Sequence, residues 1–185
     1  MAHRRATTPV QVVLCLPIQE SPSGEKILLG LKQRGFGAGR IVAPGGKIEA
    51  GESPRGAAVR ELAEETGLLA EPETLQAAAR VYFRFPGQPA ADMDCTIFLV
   101  PSFSGEPAAS EELIPAWYPV GALPVQKMWE DSALWLSRLL AGERFDALVV
   151  LGADNESVAR FSMIGWPEKR IPAAPATEAD FPDLT

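Results

Sequence analysis

Apolar positions along this chain fall into short runs broken by turn residues, and two stretches carry a helical signature. Val10 to Leu16 is rich in β-branched and apolar residues and predicts a buried strand. A turn at Ser21-Pro22-Ser23-Gly24 separates it from a second strand over Lys26 to Lys32, so the pair predicts a hairpin. The stretch Gln33 to Gly51 holds six glycines and one proline, too many for a helix. It predicts a loop with short strand pieces around Ile41 and Val42.

Ser53 followed by Pro54 marks a helix start, because serine can cap the first free N–H groups and proline tolerates the first helical position. Gly67 is the natural stop. Between them Ala57, Ala58 and Leu62 share one face, while Arg60, Glu61, Glu64 and Glu65 occupy others. Arg80 to Phe85 alternates and Cys95 to Val100 is nearly all apolar, with Pro86-Gly87-Gln88-Pro89 between them, so a second hairpin is expected. A short strand at Leu113 to Tyr118 follows. A second helix from Asp131 or Ser132 to Ala141 carries Leu134, Trp135, Leu139 and Leu140, and Gly142 stops it. Strands at Phe145 to Leu151 and Ser157 to Met163 complete the ordered part. The domain is expected over residues 8–165. Residues 166–185 turn to Pro, Ala and acids and predict a loosely held tail.

At 185 residues and 46% hydrophobic content, one domain with its own core is the default. The net charge of −7 disfavours a surface that neutralises nucleic-acid phosphates, so no nucleic acid polymer is expected as a partner. A polyanionic small molecule remains possible where metal ions screen the acidic groups. Cys15 and Cys95 lie in strand-like apolar runs, which fits a reducing, cytoplasmic setting rather than a disulfide framework. No run approaches the ~18 apolar residues needed to span a membrane. His3 is the one histidine, so histidine-based triads and His-rich zinc sites are almost excluded. Any catalytic centre must be built from carboxylates.

Such a centre is visible between Gly46 and Leu68. Glu61 lies four residues before Glu65 and three before Glu64, so on a helix the three crowd one edge. Like charges at those spacings cost a few tenths of a kcal/mol per pair, a cost that a bound dication reverses. Hard oxygen donors without histidine or cysteine select Mg2+, with Mn2+ as a substitute, over zinc. A solvated acidic helix face is the ordinary reason for such a cluster. Here, however, the cluster is one part of a longer pattern: Gly46, Glu52, Arg60, Glu61, Leu62, Glu64, Glu65, Gly67 and Leu68. Its seven fixed letters arise by chance on the order of once per billion starting points. The pattern also works as a device. A glycine-rich loop lets the backbone approach a phosphate and metal closely. Glu52, eight residues before Arg60, can return to pair with it. Glu61, Glu64 and Glu65 can bind metal, activating water and neutralising a pyrophosphate, and one of them can instead act as general base.

These nine positions match the Nudix box, G-x5-E-x7-R-E-U-x-E-E-x-G-U with U apolar. From about Val10 to Met163 the chain resembles the MutT-type Nudix hydrolases, especially those acting on oxidised purine nucleoside triphosphates. The passages carrying this are Leu28 to Arg40, Gly45 to Ser53 and Lys127 to Trp135. The resemblance implies an α/β Nudix fold, a mixed β-sheet in an α/β/α sandwich. It implies metal ligation by the Gly45 carbonyl, Glu61, Glu64, Glu65 and Glu112, with catalytic parts for Arg60 and Glu52. Substrate contacts are implied at Lys32, Gly46 and Lys47, and pocket walls at Phe36, Phe83, Phe85, Met93, Trp129 and Trp135. Asp131 matches an aspartate that reads the purine edge, and it could equally cap the second helix.

Two positions depart from that branch. Val42 stands at a pocket asparagine and Ser132 at a second aspartate, and an apolar wall rejects analogues less well than a hydrogen-bonding one. The expected activity is Mg-dependent conversion of a nucleoside triphosphate, such as 8-oxo-dGTP, to the monophosphate and pyrophosphate, by a monomer or homodimer. Alternatives are hydrolysis of ADP-ribose or a dinucleoside polyphosphate, and a non-catalytic nucleotide-binding module.

Overall fold

The computed structural model describes residues 8–182. His3 and residues 183–185 of the expected tail lie outside the described residues. Nine strands form one mixed sheet: β1 Val10–Gln19, β2 Lys26–Lys32, β3 Ile41–Val42, β4 Gly45–Lys47, β5 Gln76–Arg84, β6 Met93–Val100, β7 Leu113–Pro119, β8 Phe145–Leu151 and β9 Val158–Gly165. Two helices, α1 Pro54–Thr66 and α2 Ser132–Leu140, accompany it. The strand order is β3-β2-β1-β6-β5-β8-β9, with β4 paired to β1 and β7 to β2. The pairs β1/β6 and β5/β8 are parallel and the others antiparallel.

Strand β1 is buried on both faces, which is why its run reads as continuously apolar. Val13 and Cys15 pack with Leu28, Phe98 and the α1 residues Ala57, Ala58 and Leu62. Leu14, Leu16 and Ile18 turn the other way, into the cluster holding Trp135, Leu136 and Leu139 of α2. The helices therefore cover opposite faces, and the expected α/β/α sandwich is what forms. No helix among the described residues is long and apolar enough to cross a membrane.

Three expectations change. The first hairpin is vestigial, since β1 and β2 pair only at Ile18 with Ile27 and Gln19 with Lys26. A strand buried at the centre of the sheet takes its long partners elsewhere: β1 runs along β6 from Val10 to Pro17, and β2 runs along β7 over its whole length. The second hairpin forms, but β5 begins at Gln76 and passes through a bulge between Ala77 and Ala79. Small alanines carry no strand signature, so that start was not legible. The stretch after Trp166 is also not loose over its described part. Trp166 and Phe181 are both buried, and Phe181 packs on Tyr82 and Leu148, covering a part of the sheet that lies on the α1 side. Polar ties fix this strap: the Trp166 indole donates to Asp146 (2.9 Å), Arg80 to the Pro172 carbonyl (3.0 Å) and the Ala176 N–H to the Tyr82 hydroxyl (3.1 Å).

Candidate active site

The carboxylate helix is set by local rules. Ser53 Oγ accepts from the Gly56 N–H at 3.0 Å and Pro54 begins the first turn. Gly67 ends α1 with φ +77, the left-handed conformation that glycine adopts without cost, while its N–H reaches the Ala63 carbonyl. The face turned to the sheet carries Ala57, Ala58 and Leu62, and Glu65 and Thr66 with them. Glu65 is thus a carboxylate on the apolar side of its helix, almost inaccessible to water.

A buried charge needs partners, and Glu65 has them from outside the helix. Lys32 Nζ, at the end of β2, donates to one oxygen at 2.7 Å, and the Gly45 N–H donates to the other at 2.9 Å. The same ammonium reaches Glu112 at 3.2 Å. Burial works to lower the Lys32 pKa, but its hydrogen bonds to Glu65 and Glu112 outweigh that and raise it. Arg60 ties a second group together. Its guanidinium grips both Glu52 oxygens at 2.9 Å and reaches Glu61 at 2.8 Å, Glu64 at 3.3 Å and the Lys47 carbonyl at 3.1 Å. The loop between β4 and α1 is thereby clamped to the helix, as the eight-residue spacing suggested. Arg60 holds the Glu52 carboxyl below its ordinary range, whereas burial pushes Glu61 up against the pull of Arg60.

The adjacent glycines answer to sterics. A methyl group on Gly45 would overlap the Val13 carbonyl, and one on Gly46 would overlap the Glu61 carboxylate. Gly45 must be bare for β4 to lie against the β1 backbone, and the bare Gly46 leaves room for the Glu61 carboxylate where it stands.

Gly45, Glu61, Glu64, Glu65 and Glu112 do not form a preformed cage. Among the described residues, no three acidic, histidine or cysteine side chains converge as a metal group. They stand instead as two sets, Glu61 and Glu64 with Arg60, and Glu65 and Glu112 with Lys32. Carboxylates this close repel one another, so each set is bridged by the nearest cation. The donors nevertheless fit a hard divalent ion, being oxygens throughout. The Lys32 ammonium between Glu65 and Glu112 already marks a position where a cation is stabilised.

Beside this centre opens a cavity of about 560 Å³. Every residue expected to touch substrate lines it: Lys32, Phe36, Val42, Gly46, Lys47, Phe83, Phe85, Met93, Trp129, Asp131 and Trp135. Phe36 stacks on Trp129 with centroids 5.0 Å apart and meets Phe85 edge-on at 6.4 Å, while the Arg40 guanidinium lies 4.1 Å over the other ring, Trp129. Asp131 does not cap α2 with its side chain. Its carboxylate accepts the Trp135 indole N–H at 2.7 Å, and burial raises its pKa despite that bond. Sequence reasoning assigned no site role to Leu16, Leu29, Met128, Leu136, Leu151 and Asn155, which also line the cavity.

Comparison with known proteins agrees with this geometry. A NUDIX domain model matches residues 8–139. The oxidized purine nucleoside triphosphate hydrolase of Danio rerio is 42% identical over 120 residues, covering 65% of this chain and 75% of that protein. Its Mus musculus counterpart is 40% identical over 121 residues, covering 65% and 76%. Among solved structures, the MutT protein of Bacillus halodurans superposes with a TM-score of 0.68 at 23% identity, covering 83% of this chain and 97% of that one, a likeness of fold. With the acidic helix, its arginine clamp and its bare glycine pair all in place, the chain belongs to the NUDIX family.

Proposed function

We propose that this chain is a Mg2+-dependent pyrophosphohydrolase that converts a purine nucleoside triphosphate, with oxidised purines such as 8-oxo-dGTP foremost, to the monophosphate and pyrophosphate. One observation carries the reading: the apolar cavity and the carboxylate centre share residues. Gly45, Gly46, Lys32 and Glu112 line the cavity and also touch or border the acidic groups. A base held among Phe83, Phe85, Met93 and Trp135 would thus leave its phosphates at the helix. The names of the 42% and 40% identical relatives support the same substrate class.

The chain's own groups divide the work. Lys32 donates to the phosphate oxygens, and Arg60 keeps Glu52, Glu61 and the β4–α1 loop in one arrangement. Glu61, Glu64, Glu65, Glu112 and the Gly45 carbonyl are the oxygens that would hold the divalent ion. Bound there, such an ion neutralises charge on the pyrophosphate and acidifies water. Two buried free cysteines suit a cytoplasmic setting.

The test is a substrate panel read as phosphate release with added pyrophosphatase: the dNTPs, 8-oxo-dGTP, 2-hydroxy-dATP, ADP-ribose and a dinucleoside tetraphosphate, each with and without Mg2+. Mg2+-dependent turnover highest for a purine triphosphate is expected. Preference for ADP-ribose or the dinucleotide would replace the substrate reading, and no turnover of any compound would leave a binding module.

A further inference from the structure

The end of β5 answers to different neighbours on its two faces. Phe83 and Phe85 line the cavity, while Tyr82 and Arg84, at the alternate positions, turn to the strap. There Phe181 meets the Tyr82 ring edge-on at 6.0 Å, and the Arg84 guanidinium lies 5.7 Å over the same Tyr82 ring. The strap is shaped for this contact. Asp180 accepts from both the N–H and the hydroxyl of Thr177 at 2.7 Å, closing a single turn that presents Glu178 to Arg84 Nε at 3.2 Å.

The other side of the guanidinium holds the cavity wall. Arg84 Nη1 donates to Asp94 at 2.9 Å, to the Phe83 carbonyl at 3.1 Å and to the Met93 carbonyl at 3.3 Å. Phe83 and Met93 are cross-strand partners, the last pair of the β5/β6 ladder, and both side chains face the cavity. One residue further on, Asp92 accepts the Phe85 N–H at 2.8 Å. The backbone of all three wall residues is thus held by side chains that do not themselves line the cavity.

Stability alone does not explain the link to Glu178. That carboxylate is 62% exposed, and so open an ion pair contributes little to folding. The strap is already anchored by Trp166, Phe181 and the Pro172 carbonyl. What Glu178 adds is orientation, since it fixes the end of the guanidinium opposite the two carbonyls. An aromatic wall binds a flat base best when it is set before the base arrives, because ordering it on binding costs affinity.

We propose that Arg84 is a positioning residue for base recognition, locking the Phe83–Met93 pair in place, and that Glu178 of the strap holds Arg84 to that task. This rests on the cavity being the base site, as in the function proposed above. The strap, which lies past the end of the family match, thereby tunes affinity for the base and leaves the carboxylate end alone.

The test uses the full chain and the best purine triphosphate of the substrate panel, with kcat, KM, the Mg2+ activation midpoint and Tm measured for each variant. Arg84→Met keeps the apolar stem and removes every donor; it should raise KM about fivefold, with kcat and the Mg2+ midpoint within about twofold of the parent. Glu178→Ala should raise KM about twofold and add nothing further in the Arg84→Met background, because it acts through Arg84. A residue that only stabilised the fold would lower Tm without this split. Unchanged KM in both variants, a fall in kcat or in the Mg2+ response as large as the change in KM, or additive effects in the double variant overturns the proposal, with triphosphate hydrolysis left standing. Should Arg84→Met not fold, Glu178→Ala at the surface decides alone, and an unchanged KM there overturns it. Absence of any triphosphate turnover in the parent sinks the proposed function and this inference together.

Discussion

The two ends of the site are made in opposite ways. The carboxylate end is local: all but Lys32 and Glu112 come from the segment Gly45 to Leu68, and the groups are paired by charge, with Arg60 and Lys32 as the bridging cations. The base end is assembled from strands β1, β2, β5 and β6, the loop after β2, helix α2 and the β8–β9 turn, and its walls are mostly apolar. Electrostatics specify the first and shape specifies the second. A change at the carboxylate end should therefore act on every substrate alike, and a change at the base end should act on ratios between substrates or on stability.

The largest effect expected is from Glu65→Gln. The neutral amide keeps the volume but removes the charge facing Lys32, and kcat should fall about a thousandfold for all triphosphates tested, with Tm within about 3 °C of the parent. A loss confined to one base would erase the distinction between the ends. Glu52→Gln should be milder, because Arg60 keeps Glu61 and Glu64 while losing its grip on the loop. A roughly ten- to hundredfold weaker response to Mg2+, read by titration at fixed substrate and again uniform across bases, is expected.

The smallest effect concerns Asp131 and is read without substrate. Burial, aided by Glu130 and opposed by the Trp135 bond, raises its pKa in the folded state. A carboxyl raised on folding is protonated in both states at low pH. As pH climbs past the ordinary carboxylate range, the unfolded chain ionises first, so stability drains away until the folded pKa is passed. Asp131→Asn removes this drain. Its Tm relative to the parent should rise by about 2 °C between pH 4 and pH 8, and a flat difference would show that Asp131 ionises freely in the fold.

How much of this was legible follows from the same contrast. The acidic helix announced itself because its parts are close in sequence and fixed by backbone rules: the Ser53 cap, the Gly67 stop, the three- and four-residue glutamate spacings. The pairing of Arg60 with Glu52 followed from spacing alone. That Glu65 lies on the buried face was not legible, since a glutamate beside Leu62 reads as surface until Lys32 and the Gly45 N–H are seen to meet it. Nor was the two-set arrangement of the acids, which depends on where β2 ends. The pocket aromatics could be named through resemblance. Leu151 and Asn155 could not, because only the pairing of β5 with β8 brings them alongside Phe83 and Phe85. The strap was misread for a related reason: Trp166 and Phe181 are two aromatics in a polar stretch, and only the sheet face they cover gives them a purpose.

That strap decides where the polypeptide can be shortened. The family match stops at residue 139, yet Phe145, Ala147, Val149 and Leu151 belong to the same core as Leu16 and Trp135. Ending the chain there would strip β5 of its parallel neighbour and leave an open apolar edge, a surface that invites association with other chains. The buried core accordingly continues to Phe181, some forty residues past the end of the family match.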